Sequence, residues 1–417
     1  MNFIRDRQFY RFSAYGFLKN LRFFEPFIIL YFREIGFSFL DIGILYAIRE
    51  ICTVLLEVPT GLVADIGGRK ISMIFSMAAY IVCFLVFFFF PSYEAAAGAM
   101  VLFACGEAFR TGTHKAMILE YLRLTGQEEW KPDYYGATRA ASKLGSALNA
   151  LIAATLVFIS GSLRYVFFAA AFPCAINMIN LATYPSALNG TDVDKGLNRP
   201  GIKDTFKHFL SIFRNQDARL SIMNSAFFDG FFKVLKEYLQ PVLKTMAIGL
   251  PVLTALSLDR RTAILIGLVY FVLFLAASTA SRYSGKFSRR IRGVVQSINI
   301  TWIVGFSMLI IAGVFYGLSV YVVTIGAYLV LFTLQNLRRP LCVTYISDKV
   351  PGRVMASGLS VESLIKTLVM TILAPVCGYI ADLAGVGITI ASAGVLMGLL
   401  YVPLKLTKSV QESAPVI

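Results

Sequence analysis

The groups in this chain that could do chemistry are ionisable residues set inside apolar runs. Lys19, Arg22 and Glu25 stand three apart in the first run, which puts them along one helix face. Arg49 and Glu50 fall near the middle of the second run, and Glu107, Arg110, His114 and Lys115 in the fourth. Arg139 and Lys143 lie in the fifth, Asp229, Lys233, Lys236 and Glu237 in the seventh, Glu362 and Lys366 in the eleventh. Such a group near mid-bilayer costs about 2.5–3.5 kcal/mol on insertion scales, so it faces a cavity or a partner. The deeper set holds nine cations (Lys19, Arg22, Arg49, Arg110, Lys115, Lys143, Lys233, Lys236, Lys366) against six acids (Glu25, Glu50, Glu107, Asp229, Glu237, Glu362). Three positive charges are left over, before His114 is counted. That excess suits an anion: Arg offers a fork for carboxylate or phosphate, Lys a point charge. Lys19, Arg22, Arg49, Arg110, Lys233, Lys236 and Lys366 are therefore candidate ligands of an anionic small molecule. Glu25, Glu50, Glu107, His114, Asp229, Glu237 and Glu362 are candidates for proton coupling. For any single pair, a salt bridge holding helices in register competes with ligand contact. Arg49 and Glu50, adjacent in sequence, are expected to point apart and pair with other helices. Lys115, Arg139 and Lys143 can instead snorkel toward the inner interface.

The elements that must position these groups are membrane helices. The chain of 417 residues is 57% hydrophobic and 15% charged, with mean hydropathy +0.70. Soluble domains are nearer a quarter charged. Apolar stretches long enough to span fall at roughly 10–32, 40–63, 70–90, 95–122, 135–160 and 163–185, then at 218–244, 262–283, 294–316, 319–341, 354–380 and 386–406. The expected fold is an all-α membrane protein with twelve transmembrane helices in two six-helix bundles, 1–188 and 217–417. Between them, 189–216 is polar, with Asn-Gly and Pro-Gly turn signals, and reads as a cytoplasmic linker with a short amphipathic helix over 203–213. All six cysteines fall in apolar runs without metal-ligand or CxxC spacing and read as small core residues. The basic start MNFIRDRQFYR leads into a full-length segment rather than a short signal-peptide core.

The net charge of +15 is accounted for by the positive-inside rule, not by a nucleic-acid partner. Arg5, Arg7, Arg11, Arg69, Lys70, Arg123, Lys131, Arg289 and Arg290 fall on one side of the spans, with the linker and C-terminal cations. The other side holds few: Arg33, Arg164, Lys244, Arg260 and Arg261. This bias places both termini in the cytoplasm, with the prokaryotic inner membrane as the expected location. The halves also read as repeats. Gly16-Phe-Leu-Lys19-Asn-Leu-Arg22 matches Gly230-Phe-Phe-Lys233-Val-Leu-Lys236, with Pro26 and Pro241 following one residue out of step. Arg110 aligns with Arg338, and Glu120 with Asp348, at one common separation. Parallel repeats with a solute site between them are a known transporter plan, which would set Lys19/Arg22 opposite Lys233/Lys236 as a cationic clamp.

Between segments 2 and 3 stands Gly61-Leu-Val-Ala-Asp65-Ile-Gly-Gly68-Arg69-Lys70. Taken by itself, Gly61 allows close helix approach, Asp65 can cap helix amides, and Arg69 and Lys70 hold the loop inside. The spacing resembles the major facilitator superfamily loop G-x3-D-[RK]-x-G-[RK]-[RK], with Ile66 at a usually basic position. Glu57-Val-Pro-Thr before it also resembles that family, whereas Gly285-Lys-Phe-Ser-Arg289-Arg290 in the second half lacks the Asp. The resemblance implies that this loop latches the inner side. Asp65 would engage the end of segment 11 and Arg69 an acid at the inner end of segment 4, for which Glu120 is the candidate. The drug-antiporter patterns of the family are incomplete: Gly145 stands in segment 5 without the Gly-Pro motif, and Arg110 is followed by Gly112 rather than by a Gly four residues on.

No nucleophile–base arrangement, phosphate-binding loop or metal cluster is legible, which points away from an enzyme, a cofactor and ATP-driven transport. The expectation is a monomeric secondary transporter of a small anionic solute, coupled to protons. The alternatives are a proton-coupled exporter of drugs or amphipaths, a flippase for an anionic lipid, and a transporter-like sensor.

Overall fold

The computed structural model describes residues 4–189, 215–250, 254–291, 293–349 and 355–407. Among them every regular element is helical. The first half holds α1 (Arg7–Lys19), α2 (Ile28–Glu34), α3 (Phe39–Gly67), α4 (Arg69–Phe89), α5 (Tyr93–Arg110), α6 (Thr113–Leu124), α7 (Lys131–Ser160) and α8 (Tyr165–Ala182). The second holds α9 (Gln216–Leu235), α10 (Leu239–Gly249), α11 (Leu258–Arg290), α12 (Val294–Gly317), α13 (Tyr321–Lys349), α14 (Met355–Ala384) and α15 (Val386–Leu404). Local chemistry sets several starts. Asp6 accepts from the Phe9 amide at 2.9 Å, Ser38 and Asp41 form a capping box, and Asn215 caps α9 through the Asp217 and Ala218 amides.

The helices fall on the twelve expected segments, but three segments are interrupted. Segment 1 breaks between α1 and α2, where Pro26 has no amide proton to give. Segment 4 breaks at Thr111–Gly112, with Gly112 at φ 77°. Segment 7 passes through a 3-10 turn at Lys236–Tyr238, and Pro241 follows in the first turn of α10, where proline is tolerated. Segments 1 and 7 thus break at equivalent places in the repeat. Among the described residues, seven helices are long and apolar enough to cross a membrane: α4, α7, α8, α11, α12, α14 and α15. Charge keeps others out of that set, with Asp41, Arg49, Glu50 and Glu57 in α3, and Glu94, Glu107 and Arg110 in α5.

Two compact units result. One comprises Met1–Leu197 with Leu243–Phe274, the other Asn198–Val242 with Leu275–Ile417. Each repeats the other's internal packing. In the first, α1 packs on α7 and α8, and α4 on α5 and α8. In the second, α9 packs on α14 and α15, and α12 on α13 and α15. Equivalent glycines make the equivalent crossings. A Cβ on Gly16 would collide with Ser142 Oγ of α7, and one on Gly145 would lie 2.5 Å from the Phe17 carbonyl oxygen. A Cβ on Gly230 would lie 2.7 Å from Val369 of α14. Missing side chains let backbones touch, which is how helices associate when lipid offers no hydrophobic drive. A Cβ on Gly61, by contrast, meets no described atom within 4 Å.

Gly145→Leu should therefore cost about 1–3 kcal/mol through overpacking, seen as a clear drop in the melting temperature of detergent-solubilised protein. Gly61→Ala should leave that temperature unchanged or raise it slightly, because alanine is the better helix former. Equal destabilisation by both would contradict the packing described.

Candidate functional site

The first unit gathers its charges around Glu107. The 13 residues of α1 rise about 20 Å, which sets Lys19 that far from the start of the helix. Arg22, in the interruption after α1, donates to Glu107 Oε1, and Arg110 donates to Glu107 Oε2. The Tyr80 hydroxyl adds a third bond to Oε1 at 2.7 Å. Tyr80 can cross α5 there only because Gly106 has no side chain: a Cβ would lie 2.8 Å from its ring. The Asn149 amide donates to the Arg22 carbonyl at 3.2 Å, fixing the broken segment against α7. Arg22 also lies 3.6 Å from Glu25, which is 44% exposed, and 5.4 Å from the Phe103 ring centroid. Lys19 is part-buried and has no ion pair or hydrogen bond among the described residues. Three cations (Lys19, Arg22, Arg110) thus face two carboxylates (Glu107, Glu25), a formal excess of one positive charge.

The second unit carries the reverse balance. Arg339 bridges Asp229 at 2.9 Å and Glu362 through two contacts, the longer at 3.1 Å. Gln335 donates to Asp229 Oδ1 at 2.7 Å, and Ser225 to Glu362 Oε1 at 3.0 Å. Asp229 and Glu362 are buried, with side chains 8% and 1% exposed, while Arg339 is 39% exposed. Among the described residues one cation therefore answers these two acids, a formal excess of one negative charge in this cluster. Arg338, the repeat partner of Arg110, takes no carboxylate among the described residues. It is fully buried, donates to the Ile298 carbonyl, Thr301 Oγ1 and Asn224, and lies between Phe228 (4.4 Å) and Trp302 (5.2 Å). The exchange has a sequence cause: Gln335 stands at the repeat position of Glu107, so the acid that Arg110 holds is missing there.

The remaining candidates separate. Arg49 donates to Glu50 itself, at 2.8 and 3.2 Å, and lies over Tyr46 at 4.6 Å. Arg49 thus reaches the acid beside it as well as the Phe103 ring of α5, 5.7 Å away: neighbours on a helix diverge, but a long Arg side chain reaches back. Lys236 pairs with Glu237 at 3.1 Å, and Glu237 also accepts from Gln240. Lys366 reaches the Ser363 hydroxyl at 3.4 Å, and Lys233 is exposed. Lys115, Arg139 and Lys143 are exposed as well. His114 stacks on Tyr15, 3.9 Å between centroids, inside a cluster with Phe12 and Tyr184. Sequence reasoning passed over Arg339, Gln335 and Tyr80. The double arginine 338–339 beside Gln335-Asn336 in an apolar run was the available signal.

In the loop between α3 and α4, Gly68 has φ 95°, a backbone open to glycine at little cost. A Cβ there would also press on Asn189, 3.0 Å away. Asn189 accepts from the Lys70 amide at 3.0 Å and so caps α4, and the Lys70 ammonium donates to the Tyr184 carbonyl at 3.0 Å. Arg69 is the first residue of α4. Glu120 is buried and pairs with Arg123 at 2.7 Å. The Asp65 side chain, and the linker cations Lys195, Arg199, Lys203 and Lys207, lie outside the described residues.

Among the described residues every regular element is helical, with apolar helices long enough to cross a membrane, two units of repeated internal packing and interrupted helices that carry buried charge. The Major Facilitator Superfamily pattern matches residues 12–372, and the chain belongs to that family. It is 26% identical over 247 residues to the uncharacterized MFS-type transporter YxaM of Bacillus subtilis (strain 168), covering 57% of this chain and 58% of that one. The match thus spans a little over half the length of that relative. Its fold is similar to the crystal structure of the nucleoside transporter NupG (TM-score 0.76, 14% identity, 97% of this chain and 100% of that chain). It is also similar to a POT family transporter in complex with a thioalcohol-conjugated peptide (TM-score 0.72, 13% identity, 96% and 97% covered).

Arg339→Ala should strand Asp229 and Glu362 without a cation. The expected loss is about 2–4 kcal/mol, below that for a fully buried pair because Arg339 is part-exposed. Fluorescence-detected size exclusion should show reduced monodisperse protein. Adding Glu362→Gln should recover part of it; no recovery would contradict the shared-cation account.

Proposed function

We propose that this chain is a proton-coupled secondary transporter of a small organic or inorganic anion, working by alternating access. The observation that carries this reading is the opposite charge balance of the two units. The positive cluster, Lys19, Arg22 and Arg110 around Glu107 and Glu25, offers one unneutralised cation to a ligand, and a buried charge without a counter-charge is costly. The negative cluster, Arg339 with Asp229 and Glu362, is one positive charge short, and a proton supplies it. A monoanion on the first cluster and one proton on the second neutralise both, so the fully loaded carrier would change conformation without uncompensated charge at either site. In this reading Glu50, held by Arg49, and Glu237, held by Lys236, are structural. His114, packed in an aromatic cluster, is structural too. Asp65, Arg69 and Glu120 would act in gating, with Gly68 and Lys70 shaping the loop.

The test is uptake into proteoliposomes under an imposed pH gradient, with radiolabelled phosphate, sulfate, acetate and succinate, and uridine as an uncharged control. At least one anion should accumulate. Arg22→Ala and Arg110→Ala should each lower its uptake more than tenfold, about 1.4 kcal/mol. Glu362→Gln should remove the response to the gradient while leaving counterflow exchange. Accumulation of uridine alone, or anion uptake indifferent to both arginine changes, would refute the proposal.

A further inference from the structure

One face of α7 changes character along its length. A helix turns about 100° per residue, so positions 4, 7 and 11 apart share a face. Lys143, Ala150 and Ala154 stand on one such line, and Arg139, one turn before Lys143, extends it. Toward the Ser160 end the line is covered. A Cβ on Gly267 of α11 would lie 2.6 Å from the Ala154 Cβ and 3.7 Å from the Ala150 carbonyl oxygen, and Arg260 donates to the Phe158 carbonyl at 3.1 Å. Ala150 and Ala154 are accordingly buried. Toward the Lys131 end the line opens, and Arg139 and Lys143 are both exposed. Exposed Lys115 of α6 joins them, its ammonium 5.8 Å from the ring centroid of Tyr135, one turn before Arg139. Arg139 makes no ion pair or hydrogen bond among the described residues. From Tyr135 to Ala154 the line carries no acid.

Lipid contact does not account for these cations. Exposed apolar side chains mark the lipid side of a spanning helix, and on α7 they follow a different line. That line runs from Leu144 through Leu151 to Ile159, and its two end members are exposed. Around the helix, Lys143 stands about 100° from Leu144 and Arg139 about 140°. The apolar span begins at Asp133, which sets Arg139 and Lys143 about 9 and 15 Å inside it. A charge at that depth faces a cavity or a partner rather than hydrocarbon. The open half of the face is therefore a cationic wall reached from water.

We propose that Lys115, Arg139 and Lys143 form an entrance lane along α7 for a soluble anion, a station apart from Lys19, Arg22 and Arg110. The inference rests on the anion reading above and goes beyond it: the cluster around Glu107 holds the solute, and the lane gathers it from water. Like charges along a low-dielectric wall focus their field, which raises the local concentration of anions and lowers that of cations.

The experiment measures that field with charged thiol reagents on the full chain in nanodiscs of zwitterionic phosphatidylcholine. Ser146→Cys places a thiol three residues from Lys143 and seven from Arg139 without removing a cation. Its reaction with an anionic and with a cationic methanethiosulfonate is followed by peptide mass at that position, so the native cysteines stay in place. Each rate is divided by the rate of the same reagent with free 2-mercaptoethanol. A shifted thiol ionisation acts on both reagents and cancels in their ratio. The anionic reagent should react about tenfold faster at low salt, and about 0.5 M salt should remove most of that advantage. Adding Arg139→Gln and Lys143→Gln together should lower the ratio about 3–10-fold. Leu144→Cys, on the lipid line, should react with neither reagent. Size exclusion confirms that each variant is folded. Four outcomes overturn the lane: no reaction at Ser146→Cys, equal reaction at Leu144→Cys, a ratio near one, or a ratio unchanged by the double neutralisation. If anion uptake depends on Arg22 and Arg110 while the ratio is near one, the lane alone fails. If the ratio behaves as stated but no anion is transported, the lane stands and the transport reading fails.

Discussion

Glu107 caught between Arg22 and Arg110 is the interaction on which the first unit depends. A bilayer offers no water to a buried charge or an unpaired amide, so the protein itself must complete every such group or open a path to solvent. One carboxylate ties the break in segment 1 to segment 4, and Tyr80 ties segment 3 to the same oxygen. Removing any member leaves the others charged, desolvated and uncompensated, a larger loss than the net value of the pair itself.

The glycines make that geometry reachable. Gly16 and Gly145 bring α1 and α7 into backbone contact, and Gly106 lets the Tyr80 ring lie against α5. Without these missing side chains the helices would stand farther apart and the Arg22 guanidinium would fall short of Glu107. Gly230 makes the same kind of crossing in the second unit. Repeated backbone packing is therefore retained while the charges on it have diverged.

That divergence is the informative part. The replacement of a carboxylate by an amide, Glu107 in one half and Gln335 in the other, changes what the neighbouring arginine can do. Arg110 keeps an acid. Arg338 turns into the core and binds carbonyls between two aromatic rings, and the next residue, Arg339, takes over the acids of α9 and α14. One packing scheme thus presents a cation-rich cluster on one unit and an acid-rich cluster on the other.

The sequence by itself determined the membrane class, the positions of the helical segments, the internal repeat and the family loop, because these rest on local hydropathy, charge bias and fixed spacing along the chain. It also located most of the buried charges. Which of them pair was decided only by tertiary structure. Arg22 and Glu107 are 85 residues apart, and their meeting depends on helix rotation and crossing distance, to which spacing along one helix is blind. Arg49 and Glu50, adjacent and expected to diverge, close on each other because a long side chain reaches farther than the helix angle between them.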